Sequence, residues 1–112
     1  MTARAETRLW LAQRASAAVL ALCVCVHLVT IVYAVRGGLT AAEILGRTRG
    51  SIGWAAFYCV FVLAVAVHAP IGLRAVAAEW LGWRGVSREW AAISFGAVLA
   101  LMGLSAVAAV FL

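Results

Sequence analysis

The chain has 112 residues, of which 67% are hydrophobic and only 12% charged, with a formal net charge of +5. It is long enough for one small domain but too poor in charge for a soluble globular protein, where the charged share is nearer about 25%. The nine basic residues are all Arg and sit in short segments between apolar runs, where lipid headgroups or partner subunits would meet them; nucleic-acid binding, which gathers basic residues on one polar face, is not expected.

Arg4, Arg8 and Arg14 precede a first uncharged run, Ala15 to Val35. This run is longer than the core of a cleaved signal peptide and no clear small-residue cleavage site follows it, so it reads as a retained helix. Cys23 and Cys25, with Cys59 in the second run, lack metal or redox spacing and read as small packing residues. A connecting segment, 36–51, holds Gly37-Gly38 and then Thr40-Ala-Ala-Glu43, the spacing of a capping box, which predicts a short surface helix. The second uncharged run is Ile52 to Leu73, and helix is predicted to continue to about residue 80 because no breaker intervenes. Gly82 and Gly85 turn the chain, and Ser87 is the expected N-cap of a third helix containing the run Ala91 to Leu112. Each uncharged run has 21 or 22 residues and, as a helix, covers roughly 30 Å, the hydrocarbon thickness of a bilayer.

The expected fold is therefore all-α and integral to the membrane. A single domain over 1–112 carries three transmembrane helices at about 15–35, 52–80 and 88–112. Six Arg lie on the side shared by the N-terminus and the second connection, against three in the first connection, which puts the N-terminus in the cytoplasm. Trp10, Trp80, Trp83 and Trp90 would form an aromatic belt on that inner side, with Tyr33, Trp54 and Tyr58 marking the outer one.

Two imidazoles, His27 and His68, lie within the apolar runs. An ionisable side chain there suggests a heme ligand, a proton relay or an interhelical hydrogen bond. A relay lacks acidic neighbours at depth, because every Glu is in a terminus or connection. The same absence, with only three spans, excludes a small multidrug transporter. Ala64 and Gly72 flank His68 at i−4 and i+4 and leave room for a flat ligand. Pro70 cannot donate to the carbonyl of Ala66, so the helix is expected to bend near His68, with that carbonyl free to orient an imidazole. His27 shares a face with Ser16, Cys23 and Ile31, and counting from the centres of the two runs separates the histidines by roughly 10 Å in depth. Two stacked ligands fit that offset, as does a single ligand at His68 with His27 structural. Arg14 and Arg74, at the inner edges of the first two helices, are either interfacial anchors or partners for propionates or a quinone carbonyl.

His68-Ala-Pro-Ile-Gly72-Leu-Arg74, with Glu79 five positions beyond, resembles the H-x-x-x-G-[IL]-R motif of the cytochrome b membrane anchors of succinate dehydrogenase and fumarate reductase. Gln13-Arg14-Ala15-Ser16 resembles that family's H-R-x-S-G, with Gln13 in place of the His and Ala17 in place of the Gly. Trp10 stands where a quinone-site Ser would be expected. The resemblance covers about residues 8–83. It implies a non-catalytic-core subunit relaying electrons between an iron–sulfur subunit and membrane quinone through one or two hemes b per complex. His68 would be an axial ligand, and His27 would serve a second heme. Arg74 and Arg14 would hold propionates, and Arg14, Gln13, Ser16 and Trp10 would contact quinone. Partners would be a second membrane anchor, an iron–sulfur subunit and a flavoprotein, in a bacterial cytoplasmic membrane. A heme-free quinone-binding anchor and a purely structural subunit are the alternatives.

Overall fold

A computed structural model describes residues 1–112 and holds four helices and no strand: α1 (Ala3–Arg36), α2 (Ala41–Thr48), α3 (Ile52–Leu81) and α4 (Val86–Phe111). The three long ones are apolar enough to cross a membrane. α1 starts twelve residues before its uncharged run, because the Thr2 hydroxyl caps it by accepting from the Ala5 amide at 3.2 Å and no Gly or Pro interrupts it. Its 34 residues span about 50 Å, well beyond a hydrocarbon core, so Arg4, Glu6 and Arg8 ride on an extension.

The capping box that opens α2 forms as its sequence spells: Glu43 accepts from the Thr40 amide at 2.6 Å, and its own amide donates to the Thr40 hydroxyl at 3.2 Å. These bonds hold the Glu43 carboxyl below its ordinary range. The Thr48 hydroxyl donates to the Val110 carbonyl at 2.9 Å and the Gly50 amide to Phe111, which ties α2 to the end of α4. At the opposite end Gly82 takes the left-handed conformation that closes α3. α4 then begins one residue before Ser87, with Gly85 at the cap, φ 96°. Ser87 is thus not the N-cap expected of it. Its hydroxyl accepts the Trp83 indole N–H at 2.8 Å instead, bracing the turn from within the helix.

α3 is the middle element, packed on α1 on one side and α4 on the other. The covered positions of α1 are 5, 9, 12, 13, 16, 20, 23, 27, 30 and 34, and from 13 onward they alternate steps of three and four, which is the spacing of a helix seam. On α4 glycines make close approach possible. A Cβ on Gly103 would stand 2.5 Å from a Val62 methyl, and one on Gly96 would stand 2.7 Å from the Pro70 ring. α3 remains helical through Pro70. The carbonyl of Ala66 faces Gly96, where a Cβ would come within 3.1 Å of it. It therefore looks toward α4, whereas the contact to the His68 imidazole comes from α1.

Met1 reaches Arg74 (Sδ to Nη2, 3.8 Å), so the start of α1, the end of α3 and the start of α4 share one end of the bundle. α2 and the end of α4 occupy the other. Only 6 of 112 residues are buried, so most apolar side chains face outward, as suits a chain solvated by lipid and by other membrane helices. Trp10, Trp80, Trp83 and Trp90 are all exposed near the N-terminal end, in keeping with a belt. At the far end only Tyr33 is exposed; Trp54 and Tyr58 turn inward and line a cavity with His27.

Candidate functional site

Two sequence motifs separated by 52 positions meet in the seam between α1 and α3. His68 is half-buried there, with its Nδ1 3.3 Å from the Ser16 hydroxyl. Ser16, only 6% exposed, donates its proton to the carbonyl of Gln13, one turn back along α1, at 3.0 Å. The Gln13 amide nitrogen lies over Gly72, where a Cβ would come to 3.4 Å. Ala64 is buried. The small residues on the His68 face thus admit α1, with Gln13 covering Gly72 and Ser16 reaching the ring. Beside this contact runs an open groove of about 410 Å³ lined by Ala12, Ala15, Ser16, Ala64 and Val67 among others. The Gln13 Oε1 is buried with no donor, so this cluster holds one unused acceptor.

The other candidates divide by helix face. Gln13 and Ser16 turn into the seam, whereas Trp10 and Arg14 lie on the exposed side of α1, the guanidinium 5.2 Å from the indole centroid. Arg74 projects toward α4, where its Nε donates to both carboxylate oxygens of Glu89 at 2.7 and 2.8 Å. Arg88 bonds the same carboxylate at 2.6 Å. Glu79, the acidic residue of the motif, is exposed and outside this group. The sequence reading missed Glu89 as the partner of Arg74. The signal was there: an antiparallel hairpin sets the first turn of α4 beside the last turns of α3.

His27 occupies the same seam nearer the far end, among aromatic rings. Its Nδ1 is 3.4 Å from the Tyr58 hydroxyl, and its ring meets those of Tyr58 and Phe61 edge-on at 5.8 and 5.7 Å. It lines two cavities. One, about 220 Å³, lies under α2 with Tyr33, Arg47, Thr48 and Trp54. The other, about 400 Å³, opens between α1 and α4 with Val65, Leu99, Met102 and Gly103. Arg47 stacks on Tyr33 at 5.3 Å. Ser16 to His27 is eleven residues along α1 and Tyr58 to His68 is ten along α3, which sets the two histidine levels about 15 Å apart. Counting from the centres of the runs gave less, because uncharged runs on neighbouring helices do not share a midpoint depth.

No three His, Cys, Asp or Glu side chains gather to chelate a metal. The three cysteines are free; Cys23 is buried in the α1 seam as a packing residue would be and Cys59 is half-buried, whereas Cys25, two positions on and off the seam, is exposed and does not pack within this chain. The donors that do exist suit a heme, which needs from each histidine a single neutral nitrogen and brings its remaining ligands with it. His68 has its Nδ1 held by a hydroxyl and small residues on either side, and the Arg14 guanidinium lies at the same end of the bundle.

No curated protein and no solved structure matches the chain. A family model described as succinate dehydrogenase/fumarate reductase transmembrane subunit matches residues 1–110. With nearly the whole length matched, three helices able to span a membrane, and the His68 and Gln13–Ser16 motifs brought into contact, the chain belongs to the family of succinate dehydrogenase/fumarate reductase transmembrane subunits.

Proposed function

We propose that this subunit relays electrons between an iron–sulfur subunit and a membrane quinone, with His68 as an axial ligand of a heme b. The observation that carries this reading is the contact of Ser16 with the His68 imidazole, which joins the two motifs that resemble the family's heme and quinone sequences. When bound, the heme would supply a one-electron carrier between the two partners. The chain's own residues hold and orient it. His68 would offer an imidazole nitrogen, and the small Ala64 and Gly72 let α1 bring Ser16 and Gln13 against its face. Arg14, exposed beside Trp10, would meet a propionate or a quinone carbonyl, while Arg74, whose Nε is taken by Glu89, would have only its Nη groups for a propionate. Gln13, whose free Oε1 could accept from a quinol hydroxyl, and Ser16 would complete the quinone-side group.

An open groove runs beside the His68 contact, so a second membrane subunit is expected to close the site and furnish the opposing ligand. Dicarboxylate chemistry belongs to a flavoprotein partner. Six Arg and four Trp at the end shared by the N-terminus orient that end to the cytoplasm of a bacterial membrane. Reporter fusions to the two termini should report opposite sides, with the C-terminus outside.

The central test is the complex purified with His68→Ala. The variant should insert and assemble but lose the low-spin signal of the inner heme. An unaltered optical and EPR spectrum would remove His68 from the site. A pyridine hemochrome assay that finds no heme in the parent complex would point instead to a heme-free quinone anchor.

A further inference from the structure

We infer that Ser16 is a positioning residue that fixes the tautomer of His68, placing the ring proton on Nδ1 and leaving Nε2 as the lone-pair donor. The inference rests on the reading of His68 as an axial ligand and goes beyond it, because it names which nitrogen binds and what holds it so.

The argument is a count of protons. A serine hydroxyl has one proton to give and lone pairs to receive. The Ser16 hydroxyl approaches two groups, the Gln13 carbonyl at 3.0 Å and His68 Nδ1 at 3.3 Å. A carbonyl can only accept, so the shorter contact takes the single proton. What Ser16 then presents to His68 is a lone pair, and the contact is a hydrogen bond only if Nδ1 carries hydrogen. Ser16 is 6% exposed, so water is not at hand to reverse the pattern. A neutral imidazole protonated at Nδ1 is bare at Nε2, the state required of an iron ligand. A ligating histidine usually donates its second N–H to such an acceptor, which raises the basicity of the ligating nitrogen.

The other histidine shows that the arrangement is particular to this one. The Tyr58 hydroxyl makes no hydrogen bond except to His27 Nδ1, so its proton is uncommitted and can be donated to the ring. That contact leaves both tautomers of His27 open.

The test compares Ser16→Ala, Ser16→Cys and Ser16→Thr in the purified complex by heme affinity, low-spin EPR g-values and heme midpoint potential. Cys keeps the volume of the buried site but is a weak acceptor, so it reads the hydrogen bond even where Ala disturbs packing. The Ala and Cys variants should hold heme roughly ten- to a hundredfold more weakly. Their midpoint should rise, because a less basic imidazole favours ferric iron less, and Thr should restore both. Parent-like potential and g-values in the Ala and Cys variants would overturn the inference, as would an effect that Thr does not reverse. An unaltered low-spin spectrum in His68→Ala would instead overturn the ligand assignment, so the two failures are distinguishable.

Discussion

The two histidine levels of the α1–α3 seam use the same residue in opposite surroundings. At His68 the neighbours are small or polar: Ser16, Gln13, Gly72 and Ala64. The hydroxyl partner is committed to a backbone carbonyl, and the ring has one tautomer that satisfies every contact. At His27 the neighbours are aromatic, Tyr58 and Phe61, and the hydroxyl partner is free to donate or accept. The seam period that buries both is the same, so burial alone does not distinguish a ligand from a packing residue. The partner's remaining hydrogen-bonding capacity does.

The most severe way to break this comparison is His27→Ala. If His27 serves a second heme on the far side, that variant should lose half the heme of a two-heme complex and leave the signal of the His68 heme untouched. One heme per copy of this chain in the parent would show that His27 is a structural residue. A smaller effect is expected of Arg14→Ala, which removes an exposed guanidinium from the His68 end. If Arg14 makes a charge-assisted hydrogen bond to the quinone, steady-state quinone reduction should fall by about tenfold or more at constant heme content. Parent-like quinone kinetics would reduce Arg14 to an interfacial anchor stacked on Trp10. The smallest effect is expected of Tyr58→Phe, which keeps the ring stack and removes one hydrogen bond. Its cost should be about 1 kcal/mol, read as a modest drop in the melting temperature of the solubilised complex. A shift in the heme spectrum of that variant would argue that His27 is a ligand after all.

Much of this molecule is legible in one dimension. Three uncharged runs of 21 or 22 residues are long enough to cross a bilayer only as helices, because lipid offers no partner for an open backbone. Thr40 and Glu43 spell the capping box of α2, and Gly82 the end of α3, because caps depend on residues within one turn of each other. His68 stood out as an imidazole where water is scarce. Tertiary structure alone settled what each side chain meets. Glu89 rather than Glu79 pairs with Arg74, Ser16 reaches His68, and the carbonyl that Pro70 leaves at Ala66 faces Gly96. Trp54 and Tyr58 turn inward rather than joining a belt. The physical reason is that a helix's period fixes which residues share a face but says nothing of how far one helix slides along the next. That axial offset is set by close contacts such as Gly103 on Val62 and Gln13 over Gly72, and it decides which polar atoms come within bonding distance.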